Sequence, residues 1–530
     1  MLARLPAGPA RVAVLTAREP GPLAQSVARA RPEVAVHGFG PEVSPSERHV
    51  AMTVAGPFDV VVDATARRQG HERRLLDTFF HLAPGGLHVI RGGSRVLRAQ
   101  GPLWRLLTDA ERARDGDEVL PAKRVPFSVL NAHGLGEALG DRTVLGPHLL
   151  LRRQGSPVLA KLDEPETNAY LALTAGTLGR VVATVPAEPF ESRCVLRVTG
   201  QDRVPPPETI RPLELALREY HQILVSPGQV VGTDRVLVAD TYRHNQENRL
   251  RNWSTRDVAP RFAVRRPPAD GAREPPPLEG CYLHLDSEVR GHFGHLVTEQ
   301  ISRVWAWPRV VEAHPEARVL LAVNTRREIQ DYEYRIWAAA GIEPERLVLI
   351  PGPVRVERLF SSTPMLSNPQ YIHPRIAETW QAIGERLVAS SATGRTFPRR
   401  IFCSRRLAKR ACRNAPEVEA VFESAGFTTV FPEDLSLGDQ IAMFRAAEVV
   451  AGFAGSAMFT LCFVARPTRV ILVGSSSYSA RNEYLIASVR GHEIDSVVSE
   501  ADEPGRFQST FAFDLRREGR HLQAVLEGLG

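Results

Sequence analysis

Five cysteines, at positions 194, 281, 403, 412 and 462, are few and scattered for a chain of 530 residues. Their number is odd and no C-x-x-C pair occurs, which argues against a disulfide scaffold or a cysteine-ligated zinc module and for a reducing compartment. Long apolar runs are missing as well. No stretch reaches the ~18 apolar residues of a membrane span. The opening Met1-Leu-Ala-Arg-Leu-Pro-Ala-Gly-Pro has no apolar segment of signal-peptide length. A soluble, cytoplasmic protein is expected. Nor is there a strong excess of one charge. Lys and Arg number 66 against 60 Asp and Glu, a net charge of +6 spread along the whole chain. That balance suits anionic small molecules such as nucleotides and is too dilute for nucleic acid.

What is present is a hydrophobic content of 43%, enough to bury several cores. Alternating strand and helix patterns predict an α/β protein. Residues 1–115 carry short apolar runs at Arg11-Val-Ala-Val-Leu15, Val34-Ala-Val36 and Phe58-Asp-Val-Val-Val-Asp63, then a helical stretch from Glu72 to Leu82. Pro84-Gly-Gly86 is expected to be a turn before a fourth strand, Leu87–Ile90. Residues 116–280 read as a β-rich connecting region of short antiparallel or irregular strands, among them Cys194–Val198. It closes on an exposed Arg/Pro linker from Arg261 to Pro277. Residues 281–390 and 391–530 restart the strand–helix rhythm twice, which suggests two Rossmann-like domains.

Three segments carry chemistry. In Glu448-Val-Val-Ala-Gly-Phe-Ala-Gly-Ser-Ala457 a buried strand runs into small residues and then into an apolar helix. Gly452, Gly455, Ser456 and Ala457 would let a ligand approach the backbone, and free N–H groups at a helix start favour phosphate. Ordinary tight packing is the alternative. In Arg400-Ile-Phe-Cys-Ser-Arg-Arg-Leu-Ala-Lys-Arg410, followed by Asn414, cations cluster just past a strand end. Arginine there can grip phosphate with two donors at once, or simply line a solvated loop. In Arg290-Gly-His-Phe-Gly-His-Leu-Val-Thr-Glu299 a glycine-punctuated loop opens a helix. His295 and Glu299, four apart, share a face, with His292 one turn earlier or in the loop. They form an acid/base site or a plain surface pair.

Together the three segments resemble glycosyltransferase family 61, the group that includes plant xylosyltransferases, secretory O-linked GlcNAc transferases and many bacterial capsular-polysaccharide proteins. The resemblance rests on Gly294-His295-Leu-Val-Thr-Glu299, on Ser404-Arg405-Arg406 with Arg410 and Asn414, on Phe431-Pro-Glu-Asp-Leu-Ser-Leu437 with Gln440, and on the 452–457 turn. It covers about residues 217–530. It implies a GT-B-like pair of Rossmann-like domains, with residues 281–390 on the acceptor side and 391–530 binding the donor. It implies a metal-independent, inverting transfer of a hexosyl or pentosyl unit from a nucleotide sugar to a glycan or lipid-linked saccharide. The setting would be bacterial polysaccharide or capsule biosynthesis, in peripheral association with membrane-bound machinery. Donor contacts would come from Ser404, Arg405, Arg410, Asn414, Gly452, Gly455, Ser456 and Ala457. The base would be His295, Glu299 or His292. No metal ligand and no cofactor other than the donor is expected.

The chain departs from the family at Ala454, where the pattern has His, at Ala457 for Gly, at Thr460 for Asn, and around Val473-Gly474, where a carboxylate is common. These departures keep open a non-catalytic nucleotide-sugar or glycan-binding scaffold. Residues 58–90 resemble the later part of a class I methyltransferase, but the glycine-rich cofactor turn is replaced by Thr16-Ala-Arg-Glu-Pro-Gly21. That implies a degenerate methyltransferase-like domain in a structural or docking role, with a sugar methyltransferase as the remaining alternative. The single Asp-x-Asp, Asp115-Gly-Asp117, reads as a polar turn.

Overall fold

The computed structural model describes residues 9–16, 22–65, 70–98, 100–115, 126–200, 206–244, 250–265, 274–323, 328–367, 370–391, 395–406 and 409–529. Most of the Thr16–Gly21 turn, Asp117 and the core of the Arg/Pro linker lie outside these residues. The chain forms two compact units. The first comprises Met1–Val181, Glu219–Glu279 and Gly352–Arg358, and the second Val182–Arg218, Gly280–Pro351 and Leu359–Gly530.

The first unit opens with a six-stranded sheet in the order Val34–Phe39, Ala10–Leu15, Phe58–Asp63, Leu82–Ile90, His148–Arg153, Leu139–Leu145. The first four strands run parallel, as Val12↔Val36 and Val12↔Val60 show, and His148–Arg153 pairs antiparallel with both Leu82–Ile90 and Leu139–Leu145. A parallel sheet covered on both faces needs apolar residues at successive positions. Ala10–Leu15 meets that demand, with only Arg11 exposed. Helix Pro45–Ala55 begins at a capping box between Ser44 and Glu47. Leu15, Phe58, Phe79, Phe80 and Leu149 pack into one core.

Three expectations change here. Pro84-Gly-Gly86 is not a turn ahead of the strand but lies within Leu82–Ile90, where the register against Phe58–Val60 shifts. The stretch expected to connect domains supplies two strands of the first sheet and a helix, Phe127–Ala138. The helix is hard to read locally because it holds two glycines. It forms because they seat it tightly on the backbone at Val258 and Ala110. Arg261–Arg265 is no linker either. Phe262 and Ala263 are buried in a strand paired with Leu159–Lys161, and Arg261 is buried against Glu166.

The second unit contains an all-parallel six-stranded sheet. Its order is Val195–Gly200, Glu493–Ser499, Arg469–Ser475, Val449–Phe453, Arg400–Cys403, Thr428–Val430. The Cys194–Val198 run, expected in an antiparallel region, forms the parallel edge strand of this sheet, with Val195 opposite Glu493. That partner lies about three hundred residues away, so local sequence carries no sign of it. A second parallel set comprises Pro277–His284, Arg318–Ala322 and Leu347–Ile350. Helix Ile376–Ala389 buries Trp380, Ile383 and Leu387 and packs beside Leu437–Ala446. The Trp380 indole donates to the carbonyl of Val297 at 2.8 Å, which fixes the 293–313 helical segment to it. That segment is irregular. It widens to an i→i+5 turn over Leu296–Gln300 and tightens to a 3₁₀ helix over Ile301–Ala306. Its interior carries buried polar residues that seek partners off the helix, as when Gln300 donates to the carbonyl of Leu285.

Candidate functional site

In the second unit's sheet, successive strands are added on one side of Arg400–Cys403 and then on the other. Thr428–Val430 lies on its first flank and Val449–Phe453 on its second, with Cys403 opposite Gly452. At such a reversal the loops leaving two neighbouring strands diverge and open a crevice beyond their carboxyl ends. The described residues that follow the two strands are Ser404–Arg406 with Lys409 and Arg410 on one side, and Ala454 and Gly455 on the other.

Arg405 donates from Nη2 to the carbonyl of Ala454 at 2.7 Å, and its guanidinium lies 5.5 Å from the Phe453 ring centre. Gly455 has φ 147°, a conformation that side-chain-bearing residues rarely adopt. A Cβ at Gly455 would sit 3.3 Å from Nη2 of Arg410 and 3.7 and 3.8 Å from the two terminal nitrogens of Arg405. Two guanidinium groups therefore converge over a bare stretch of backbone. Arg410 lies with its guanidinium 4.0 Å from the Tyr478 ring centre, and its Nε and Nη1 are buried with no hydrogen-bond partner. Among the described residues neither arginine forms an ion pair. Burial, and then the neighbouring Arg410 charge, push Arg405 down to about 10. Behind them Glu483, 2% exposed, accepts from the Tyr478 hydroxyl at 2.9 Å. Burial pushes its carboxyl up to about 7, against the opposing pull of its hydrogen bonds and of Arg410.

The His292–Glu299 segment meets the same turn. A Cβ at Gly294 would sit 2.8 Å from the Ser456 hydroxyl oxygen and 3.0 Å from the Phe459 ring, so only glycine allows this approach. Nδ1 of His295 lies 2.9 Å from Oε1 of Glu299, and the His292 and His295 ring centres are 5.0 Å apart. A carboxylate accepts, so Nδ1 of His295 carries the proton and Nε2 is the basic nitrogen. Such a pair can take a proton from a hydroxyl while the carboxylate steadies the charged ring.

The expected site residues thus divide. Arg405, Arg410, Gly455 and Ser456 form one cluster, and Gly294 brings His292, His295 and Glu299 to it. Gly452 lies in the strand end, where a Cβ would strike Cys403 and Met458, and Ala457 lies in the first turn beyond. That turn belongs to a 3₁₀ helix, Ser456–Phe463, rather than to the expected α-helix. Ser404 turns away to Glu419 at 2.5 Å, and the Asn414 amide engages both the N–H and the carbonyl of Phe513 at 2.8 and 3.0 Å. Arg406 is exposed and paired with Asp434. Tyr478, Glu483 and Phe507 escape sequence reasoning, and Lys409 is legible there only as one of the clustered cations. Their one signal is that Tyr478 and Phe507 follow the ends of strands in the same parallel sheet.

All five cysteines are free. Among the described residues one trio, Cys281, His314 and Glu316, has metal-ligand atoms within 4.8 Å of one another, at the amino end of strand Arg318–Ala322. No helix among the described residues is long and apolar enough to cross a membrane.

Residues 293–471 match the family model Glycosyltransferase 61, which supports that family for this stretch. The match includes His295, Glu299, Arg405, Arg410 and Gly455 and ends before Tyr478, Glu483 and Phe507. No curated protein matches the chain. Solved structures of the MycE methyltransferase from the mycinamycin biosynthetic pathway are similar to part of it. One, with Mg and SAH, has 16% identity and a TM-score of 0.22, covering 28% of this chain and 46% of that one. A second, with mycinamycin VI as well, has 18% identity and a TM-score of 0.21, covering 28% of this chain and 41% of that one. The chain thus spans about half or less of their length.

Proposed function

We propose that the second unit transfers a sugar from a nucleotide-sugar donor to a glycan or glycoconjugate acceptor, by inversion and without a metal. The observation that carries this reading is the pair of arginines, Arg405 and Arg410, converging over Gly455, neither of them in an ion pair with a carboxylate among the described residues. Two like charges held together part-buried are unfavourable unless an anion joins them. A diphosphate supplies that anion, and its charge grows as the sugar–phosphate bond breaks, so the same arginines assist departure. His295, backed by Glu299, would take the proton of the acceptor hydroxyl, with His292 beside it. Donor contacts from Gly452, Ser456 and Ala457 would be through backbone. The two parallel-strand sets of this unit would be the GT-B pair. The acceptor is a sugar polymer or lipid-linked saccharide under assembly in the bacterial cytoplasm, capsule among the candidates, handled together with membrane-bound machinery.

The parallel start of the first sheet supports reading that region as a methyltransferase-like fold, for which we propose a structural or docking role. A second reading has a specific motive. Ala454 stands where the resembling family carries His, and a protein that binds donor without transferring it would fit that loss.

The test is a thermal-shift series with UDP-, GDP-, ADP- and CMP-sugars, repeated on Arg405→Ala. A ligand that binds only the folded form raises the melting temperature. The reading expects one donor class to do so, and the shift to vanish in the variant. An unshifted wild type rejects it. Binding with neither hydrolysis nor transfer across a glycan panel favours the scaffold.

A further inference from the structure

Phe507 is an apolar side chain in an unusual place. It is 44% exposed, in the loop between strand Glu493–Ser499 and helix Glu518–Glu527. The loop is well braced. Asp502 donates its N–H to the carbonyl of Thr510 at 2.9 Å, and Glu503 donates its own to the Ser509 hydroxyl at 2.8 Å. Arg506 grips both carboxylate oxygens of Glu503 at 2.6 and 2.7 Å. Backbone bonds from Phe511 to Ala411 and from Arg413 to Phe511 tie the returning chain to the segment just after Arg410. The ring is therefore held in place, and two cations address it. The Arg410 guanidinium is 5.1 Å from its centre and the Lys409 ammonium 5.5 Å. Tyr478 meets it edge-on at 6.0 Å.

The order of contacts across the site has a direction. The His295 segment touches Ser456 through Gly294, Ser456 adjoins Gly455, Gly455 faces the two arginines, and Arg410 faces Phe507. A proton acceptor stands at one end, an anion site in the middle and an exposed aromatic ring at the other. A nucleotide sugar is linear in the same sense, with the reacting sugar, the diphosphate and the flat base in sequence. We propose that Phe507 is the platform on which the nucleobase of the donor stacks, so that loop 501–511 is the nucleoside end of the site. Every base presents a π-face, and cations beside the ring offer donors to base carbonyls and phosphate. The inference rests on the donor reading above.

Calorimetric titration of the full chain separates the two. The probes are UDP, GDP, ADP and CDP, with inorganic pyrophosphate, against wild type, Phe507→Ala and Phe507→Tyr. Phe507→Ala is expected to weaken the tightest nucleotide about tenfold or more and to leave pyrophosphate unchanged, while Phe507→Tyr restores nucleotide binding. Unchanged nucleotide affinity in Phe507→Ala overturns the platform while the donor reading stands. Equal weakening of nucleotide and pyrophosphate overturns it too, since the ring would then only support Arg410. A wild type that binds neither probe defeats the donor reading and this inference with it.

Discussion

Each unit contains a sheet whose parallel strands reverse their order, beside Ala10–Leu15 in the first and beside Arg400–Cys403 in the second, and each places charged residues at or beyond the carboxyl ends there. In the first unit the group there is Asp63, fully buried at the end of Phe58–Asp63. His71 and Arg74 lie 2.8 and 2.9 Å from its Oδ2, and the Thr65 hydroxyl donates to Oδ1 at 2.6 Å. In the second unit the groups are Arg405 and Arg410, with no ion-pair partner among the described residues. One crevice has spent its charge on itself and the other has not. A satisfied buried charge is a structural device, whereas like charges gathered without a partner are the feature on which the proposed anion site rests.

Four outcomes would break or sharpen that contrast. The largest concerns the His295–Glu299 pair beside the open crevice. His295→Ala should lower turnover about a hundred- to ten-thousandfold with little change in donor affinity, measured by steady-state kinetics and calorimetry. An unchanged turnover would make His295–Glu299 structural like the Asp63 cluster.

Next, Asp63→Asn should cost the first unit about 3–5 kcal/mol in chemical denaturation, because it leaves Arg74 without its buried partner, and should not alter nucleotide binding. Burial of Asp63 opposes ionisation. The bonds from His71, Thr65 and Arg74 outweigh it and hold the carboxyl well below its usual range. The folded value is thus depressed relative to an unfolded carboxyl near about 4. Its contribution is present above roughly pH 4 and drains away as pH falls through the folded value, a slope the variant should lack.

Third, Arg410→Ala should weaken nucleoside diphosphate binding about 10- to 150-fold while leaving the unliganded melting transition within about 1 kcal/mol of wild type. Lost stacking on Tyr478 is offset by relief of repulsion from Arg405. Arg74→Ala should do the reverse, lowering stability and sparing affinity.

The smallest effect belongs to Glu483. Its folded value, about 7, lies above that of an unfolded glutamate. The folded state therefore favours the protonated form, and that stability is present below about pH 4 and lost as pH rises towards 7. Once ionised, Glu483 offsets the arginines. Affinity for a nucleotide sugar, whose diphosphate does not titrate in this range, should fall a few-fold between about pH 6 and 8. Glu483→Gln should flatten that profile in calorimetry.

Much of the fold was legible. Runs such as Ala10–Leu15, Phe58–Asp63 and Arg469–Ser475 hold consecutive β-branched and other apolar residues, the pattern of a strand buried on both faces. The misreadings share a cause. Val195–Gly200 takes its direction from a strand three hundred residues on, Phe127–Ala138 hides two glycines that serve packing, and Phe262 lies among arginines whose buried partners are remote. The clustering of Arg405, Arg410 and Gly455 and the His295/Glu299 contact were legible where side-chain chemistry and position coincide. Ser404 and Asn414 share that motif, yet their side chains turn to Glu419 and to the Phe513 backbone.

Residue identity by itself determined that this chain builds parallel α/β sheets, because apolar runs broken by glycine at helical intervals have few other ways to bury themselves. It also determined that arginines and small residues follow two of the strands. Which charges remain unneutralised was decided by the tertiary structure alone. Whether a guanidinium meets a carboxylate depends on partners tens to hundreds of residues away. The convergence of Arg405 and Arg410 over Gly455, with Tyr478, Glu483 and Phe507 around them, exists only once the sheet has reversed its order.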